Sequence, residues 1–237
     1  MNSHAIENAV ELLKKLDEYQ YDNVKKAAEL IADAFEKGGI LQAFGSGHSH
    51  AGALEIVERA GGFAATKMIQ EPVKGGALER IEGVGTAIMS RVEVKPEDVV
   101  VIISYSGRNP LVVEVAQVAK ERGARIIAIT CLEISKNLTS RHSSGKMLYD
   151  FADVILDVMG VPGDTTIKVA EEIPPICPMS SIAAAALIQA TLLETVKIMH
   201  AKGVVPDLRI SANTDDGANV ARSLELSKKY AHRVFRI

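Results

Sequence analysis

Residues 99–110 read Val-Val-Val-Ile-Ile-Ser-Tyr-Ser-Gly-Arg-Asn-Pro and contain a complete strand-to-helix turn. The first five are β-branched and apolar without polar alternation, which is typical of a strand covered on both faces. Asn109 suits a helix N-cap and Pro110 suits the first helical position. This stretch therefore predicts a buried parallel strand that passes through a short polar loop directly into a helix.

The same pattern recurs along the chain. Further strands are predicted over residues 40–44, 63–69, 125–130 and 153–158, and helices over 50–60, 110–123, 179–202 and 217–230. Residues 5–37 predict two amphipathic helices before the first strand. Residues 71–85 are rich in glycine and charge and receive no assignment. Strands that alternate with helices predict a three-layer, doubly wound α/β fold around a parallel sheet.

The composition is that of an ordinary soluble globular protein. The chain has 237 residues, of which 47% are hydrophobic and 24% charged. A net charge of −3 gives no indication of binding to nucleic acid or to an anionic membrane. Cys131 and Cys177 lack the paired spacing of a zinc site, and we interpret them as reduced structural thiols.

The sequence also favours a cytoplasmic location. The N-terminus has neither the basic start nor the apolar centre of a signal peptide. The most apolar stretch, residues 181–199, is interrupted by Gln189, Glu194 and Lys197, which favours a buried or interface helix over a membrane span.

Two polar loops carry the functional prediction. Gly-Ser-Gly-His-Ser at residues 45–49 follows the first strand, and Ser-Tyr-Ser-Gly-Arg-Asn at 104–109 follows the strand at 99–103. Right-handed crossovers place both loops at one edge of the sheet, where they open into one crevice. Glycine, hydroxyl groups and a helix N-terminus together suit a phosphate monoester. Other candidates at this edge are Ser46, Thr130, Ser180 and Ser181.

The alternative interpretation is structural, because Ser, Gly and Asn at such turns are often only caps and turn formers. A nucleotide is not expected. The dinucleotide pattern Gly-x-Gly-x-x-Gly fails at His50, and no Gly-Lys-Ser/Thr phosphate loop is present.

Acid–base chemistry in this crevice would require Glu or His side chains. Glu55 is the candidate base, and His48 and His50 at the helix start are candidate proton carriers. Alternatively, the two histidines are turn and capping residues, and Glu55 and Glu58 belong to a solvated helix face. His142 lies in a polar loop, residues 142–146, that is a candidate lid.

The chain resembles the SIS (sugar isomerase) domain family, most closely a single-domain branch near phosphoheptose isomerase. The resemblance rests on six motifs: residues 45–50, Arg-Ala-Gly-Gly at 59–62, the 104–109 loop, Ser-Gly-Lys at 144–146, Pro-x-Ser-Ser at 178–181 and Ser-x-Asn at 211–213. It implies a five-stranded parallel sheet of flavodoxin-like topology with N-terminal helices, and a homodimer or homotetramer. It also implies that Ser49, Ser104, Ser106 and Asn109 hold a sugar phosphate.

The resemblance divides the chain into an N-terminal helical segment, residues 1–38, and a sugar-phosphate-binding domain, residues 39–237. Phosphoheptose isomerases carry Gly-Gly-Ser in the first loop and a metal-binding His and Glu in the following helix. Here His48 replaces the second glycine, and Glu55, Glu58 and Arg59 stand in place of that pair. We therefore expect no metal and no cofactor.

The leading hypothesis is an enzyme that isomerises a phosphorylated sugar or amino sugar between aldose and ketose. A lyase, dehydratase or deaminase of the same fold is an alternative, since all begin with the same proton abstraction. A non-catalytic sugar-phosphate sensor is a second alternative. The 38 residues before the first strand show no DNA-reading helix or basic cluster.

Overall fold

A computed structural model of the chain describes residues 4–57, 59–211, 213 and 217–234. It contains a sheet of five parallel strands: β1 (Leu41–Gly45), β2 (Thr66–Met68), β3 (Val99–Ile103), β4 (Arg125–Thr130) and β5 (Val154–Asp157). A separate antiparallel hairpin is formed by β6 (Thr165–Ile167) and β7 (Ile176–Pro178). The helices are α1 (His4–Glu36), α2 (His50–Leu54), α3 (Val84–Met89), α4 (Pro110–Glu121), α5 (Leu132–Lys136), α6 (Ser180–Ala201) and α7 (Gly217–Val234).

The strand order is β2-β1-β3-β4-β5, which is the flavodoxin-like order. The predicted fold class is confirmed. Strands β1 and β3 are direct neighbours, and their register pairs Gly45 with Ile103. The loops that follow these two strands therefore start side by side, at the point where the strand order reverses.

Two hydrophobic clusters cover the two faces of the sheet. Side chains of β3 alternate between them: Val99, Val101 and Ile103 pack towards α1 and α6, whereas Val100 and Ile102 pack towards α3 and α4. Burial on both faces explains why this strand lacks polar alternation.

Helix α6 is long and apolar enough to cross a membrane by length and composition, the one such helix within the described part of the chain. In the fold it packs along α1, and its side chains Ala183, Leu187 and Ile188 lie in the cluster that covers the sheet. Its contacts are those of a core helix.

The prediction of two N-terminal helices is wrong, because residues 4–36 form a single helix. The polar stretch at residues 17–23 contains neither Gly nor Pro, so nothing in it ends a helix. Gln20 in this stretch is buried, and its Oε1 accepts a hydrogen bond from the backbone N–H of Asp157 at 3.0 Å. The polar residues thus serve tertiary contacts.

The predicted helix over residues 50–60 is also too long, since α2 ends at Leu54. The chain that follows pairs with a distant segment. The Gly61 N–H donates to the Arg209 carbonyl, and the Arg209 N–H donates to the Gly62 carbonyl, both at 2.8 Å. The sequence does not predict the hairpin β6–β7, because Asp164 before β6 and Cys177 within β7 adopt positive φ that a single sequence does not reveal.

Candidate functional site

A cleft of about 520 Å³ lies at the carboxyl ends of β1, β3 and β4. In doubly wound sheets, ligands bind at this edge where the strand order reverses. The polar side chains on its wall come from the two loops and from more distant segments: Ser46, His48, Ser49, Glu79, Ser104, Tyr105, Ser106, Asn109, Asp164, Ser180 and Ser181. The cleft therefore brings together seven of the eight hydroxyl or amide candidates from the sequence, together with His48.

Residues of β4, of α5 and of the turn between them hold the loop after β3 by hydrogen bonds. The carbonyl of Tyr105 accepts hydrogen bonds from the Thr130 hydroxyl at 3.1 Å and from the Cys131 N–H at 2.9 Å. The carbonyl of Ser106 accepts one from the Ser135 hydroxyl at 2.8 Å. The carbonyl groups of the loop thus bond to the protein interior. The serine hydroxyls of the loop and the N-terminus of α4 face the cleft.

Gly107 makes this loop conformation possible. Its φ is 60°, and an added Cβ would lie 3.1 Å from the Leu148 Cβ. The Gly107 N–H donates to the Ser104 hydroxyl oxygen at 3.2 Å, so Ser104 braces the turn and also lines the cleft.

Two half-buried serine hydroxyls on the cleft wall have no hydrogen-bond partner among the described residues. Ser106 belongs to the loop after β3, and Ser49 belongs to the loop after β1. Both residues are half-buried. Half-buried hydroxyls without protein partners are suited to donate hydrogen bonds to a bound anion.

The loop after β1 folds tightly back on the end of its strand. A Cβ at Gly45 would lie 2.3 Å from the Ser49 carbonyl oxygen, so this position requires glycine. Ser46 donates from its hydroxyl to Oε2 of Glu71 at 2.7 Å, which fixes the start of the loop. His48 is exposed on the cleft wall, whereas His50 does not line the cleft.

Glu79 is the residue of the cleft that the sequence analysis missed. Its Oε2 accepts a hydrogen bond from Nδ2 of Asn109 at 2.9 Å. Its Oε1 lies between two backbone segments, because a Cβ would be 2.9 Å away at Gly47 and 2.7 Å away at Gly76. The carboxylate thus occupies a place that two glycines leave open, with one oxygen unbonded within the described part of the chain.

Asn109 is a positioning residue as well as a cleft residue. Besides donating to Glu79, its Oδ1 accepts a hydrogen bond from Nη1 of Arg141 at 2.9 Å. One amide hydrogen remains for a ligand. The side chain predicted to bind phosphate therefore also orients the carboxylate of the cleft.

Asp164 caps helix α6. Its carboxylate accepts hydrogen bonds from the Met179 N–H at 3.2 Å, the Ser180 N–H at 2.9 Å and the Ser180 hydroxyl at 2.5 Å. These contacts occupy Ser180 and neutralise the start of α6. The hydroxyl of Ser181 is exposed on the wall and has no partner among the described residues.

Two candidates, Thr130 and Glu55, lie away from the cleft wall. Thr130 is completely buried under the loop after β3, where its hydroxyl bonds to the Tyr105 carbonyl. Glu55 is not on the cleft wall; its Oε1 pairs with Arg59 at 2.6 Å, and its Oε2 accepts from Gln189 at 3.1 Å. Glu58 lies outside the described residues.

The polar loop around His142 packs against the segment that carries Glu79. The hydroxyl and the N–H of Ser143 both donate to Glu82, at 2.8 and 2.6 Å. His142 Nε2 lies 3.7 Å from Oε1 of the buried Glu114. The loop thus borders the cleft through Arg141 and Asn109, and His142 itself faces Glu114.

Two ionisable groups beneath the cleft stay neutral. Burial raises the pKa of the Tyr105 phenol, which donates its hydrogen to the Val161 carbonyl. Burial also raises the pKa of the Cys131 thiol. Neither group supplies a charge to the cleft near neutral pH.

Across residues 4–57, 59–211, 213 and 217–234, no three His, Cys, Asp or Glu side chains cluster closely enough to hold a metal ion.

Comparison with known proteins gives a consistent result. A family model described as SIS domain matches residues 5–131. The chain is 43% identical over 231 residues to the UPF0309 protein lmo0025 of Listeria monocytogenes, covering 98% of this chain and 97% of that protein.

Solved structures share the fold at low sequence identity. A phosphoheptose isomerase from Francisella tularensis superposes with a TM-score of 0.52 at 13% identity, covering 83% of this chain and 100% of that one. The Vibrio vulnificus NanR protein complexed with ManNAc-6P superposes with a TM-score of 0.50 at 12% identity, covering 96% of this chain and 67% of that one.

Proposed function

Because the chain belongs to the SIS domain family and is similar over almost its whole length to a UPF0309 protein, we propose that it binds a phosphorylated sugar in the cleft and isomerises it between aldose and ketose. The observation that carries this proposal is a combination of side chains on one wall of the cleft. The unpartnered hydroxyls of Ser49 and Ser106 share the wall with a carboxylate, Glu79, that keeps one oxygen free.

The phosphate is bound by neutral groups in this proposal. Ser49 and Ser106 donate from their hydroxyls, and the N-terminus of α4 supplies the positive end of the helix dipole. No Lys or Arg is found among the described residues that line the cleft. Asp164 already offsets the dipole at the start of α6 with its carboxylate, so we assign the phosphate to the dipole of α4.

Glu79 acts as the base. Its carboxylate removes the proton from the carbon next to the carbonyl of the open-chain sugar and returns it to the former carbonyl carbon. An enediol is the intermediate, and the net reaction gains and loses no atoms. The hydrogen bond from Asn109 and the glycines at 47 and 76 fix the carboxylate where this transfer occurs.

His48 carries the protons of the sugar oxygens. It is the histidine on the cleft wall, and its imidazole is exposed at the mouth. A neutral imidazole accepts a proton from one oxygen and donates one to another, which ring opening and enediol formation both require. Glu55 and His50, the other candidates from the sequence, have no part in this scheme.

The test follows the exchange of the C2 proton of aldose 6-phosphates in deuterated water by NMR. Wild-type protein is expected to exchange this proton for at least one sugar. Glu79→Gln is expected to bind that sugar with unchanged affinity but to lose exchange, and Ser106→Ala is expected to lose binding.

Glu55→Gln is the matched control, because it removes the same charge from a carboxylate paired with Arg59 outside the cleft. If Glu55→Gln abolishes exchange and Glu79→Gln does not, the base is misassigned. Binding without exchange in the wild-type protein contradicts an isomerase and supports a sensor.

A further inference from the structure

Three arginines lie on segments that meet beside Asn109, whose side chain lines the cleft. Arg108 precedes Asn109 in the chain, and Arg141 donates from Nη1 to Oδ1 of Asn109 at 2.9 Å. Arg80 follows Glu79, whose carboxylate accepts the hydrogen bond from Nδ2 of Asn109 at 2.9 Å. We call these three residues the arginine cluster.

Backbone contacts hold the cluster together. The Arg141 N–H donates to the Arg108 carbonyl at 2.9 Å. The segment with Arg80 is fastened to the start of α4, because the Leu111 N–H donates to the Glu79 carbonyl at 3.2 Å. The three side chains therefore start from segments that are anchored to one another, beside the loop after β3.

No carboxylate forms a direct ion pair with the cluster. Within the described residues, none of the three guanidinium groups lies within 4.0 Å of an Asp or Glu oxygen. The Nε atom of Arg108 is buried and has no hydrogen-bond partner there. A buried guanidinium N–H without an acceptor is costly unless a ligand supplies one.

The nearby acidic groups hydrogen-bond to residues outside the cluster. Glu79 accepts from Asn109, and Glu82 accepts from both the N–H and the hydroxyl of Ser143. Burial lowers the pKa of Arg141, and the charges of Arg108 and Arg80 lower it further, while Glu79 opposes the shift. Like charges are therefore held together at the rim of a site in a chain whose net charge is −3.

We propose that the arginine cluster is a second anion site, and that the substrate is a sugar phosphate carrying a further carboxylate or phosphate group. This inference rests on the proposed function, in which the hydroxyls of Ser49 and Ser106 bind the first phosphate. We call these two hydroxyls the serine cradle. Planar guanidinium groups donate paired hydrogen bonds to carboxylate and phosphate oxygens alike. The cluster thus selects for a sugar phosphate whose second anionic group lies at the end of the sugar that projects from the cleft.

Two matched ligand pairs test the inference by isothermal titration calorimetry. Sorbitol 6-phosphate and 6-phosphogluconate differ in a hydroxymethyl group against a carboxylate. Fructose 6-phosphate and fructose 1,6-bisphosphate differ in the second phosphate. The ratio of the two dissociation constants within each pair is the readout, since it cancels effects on the shared phosphate.

Wild-type protein is expected to bind the doubly anionic member of at least one pair at least tenfold more tightly, and the pair that responds identifies the second group. Arg80→Gln is expected to reduce this ratio, and the Arg80→Gln/Arg141→Gln double variant is expected to bring it close to one. Arg91→Gln, which removes an exposed arginine beyond α3, is the control and is expected to keep the ratio.

Ratios close to one for both pairs in the wild-type protein would overturn the inference while leaving the serine cradle intact. So would a high ratio that survives in the double variant. If none of the four compounds binds, the proposed function fails and the second site fails with it.

Discussion

Replacing Gly76 with alanine tests whether the position of the Glu79 carboxylate controls the reaction. Gly75→Ala is the matched control, because it introduces similar backbone strain without a contact to Glu79. Both glycines adopt positive φ, 83° at Gly75 and 74° at Gly76. Alanine at either position costs about 1–2 kcal/mol of folding stability, since Cβ then crowds the following carbonyl oxygen. The two variants are therefore expected to have similar free energies of unfolding in urea.

Only Gly76→Ala reaches the base. A Cβ at Gly75 meets no atom within 4 Å, whereas a Cβ at Gly76 would lie 2.7 Å from Oε1 of Glu79. An ordinary contact of at least 3.4 Å requires the carboxylate to move by about 0.7 Å. Because a displacement near 1 Å can cost roughly 100-fold in rate, we expect Gly76→Ala to lose about 10- to 100-fold in C2 proton exchange.

The assay compares the two variants with wild-type protein in deuterated water at saturating sugar phosphate. Gly75→Ala is expected to exchange within about twofold of wild type, because its Cβ points away from Glu79. If the two variants are equally stable and Gly76→Ala still exchanges the C2 proton at the wild-type rate, the reasoning is refuted. The position of Glu79 would then not control proton transfer.

Asp98→Ala should destabilise the fold by about 3–5 kcal/mol in urea unfolding, because it removes the buried carboxylate that is hydrogen-bonded to the buried Arg233. Asp33→Ala, which breaks the exposed Asp33–Lys37 pair, should cost no more than about 1 kcal/mol, and equal losses would contradict the argument. Because burial raises the pKa values of Cys131 and Tyr105, the unfolded chain releases these protons first, so the free energy of unfolding should fall as the pH rises above about 8.5. Cys131→Ala should flatten that fall, and an unchanged slope would assign it to other groups. In wild-type protein the Cys131 thiol should react with iodoacetamide at pH 8 far more slowly than the half-buried Cys177; equal labelling of both would contradict its burial.

Local sequence pattern predicts the centre of the sheet almost to the residue. Strands β3 and β4 begin and end at the predicted residues, 99–103 and 125–130. The Asn109-Pro110 pair also marks the start of α4. Burial on both faces and capping are local in sequence, which is why one chain is sufficient to predict them.

The errors arise where distant contacts decide the structure. Helix α2 stops at Leu54 because residues 61–64 pair with residues 207–209. No pattern within residues 50–60 carries that information. A distant contact also explains part of the polar stretch inside the single helix at residues 4–36, since Gln20 accepts a hydrogen bond from the Asp157 N–H.

The residues of the candidate site also differ in whether local sequence pattern or distant contacts place them. Ser49, Ser104 and Ser106 follow strand ends, so their shared edge could be predicted from the order of strands and helices. Glu79 lies in the glycine-rich stretch 71–85, which has no periodicity, and only its contacts with Asn109, Gly47 and Gly76 bring it to the cleft. The pair Gly75-Gly76 shortly before an acidic residue was the one available signal.

The most direct measurement of the central claim is a crystal structure of the protein soaked with sorbitol 6-phosphate. The account predicts a phosphate group within hydrogen-bond distance of the hydroxyls of Ser49 and Ser106, in front of the N-terminus of α4, with the C2 end of the ligand next to Glu79. A phosphate bound at another surface, with these two hydroxyls unoccupied, would contradict it.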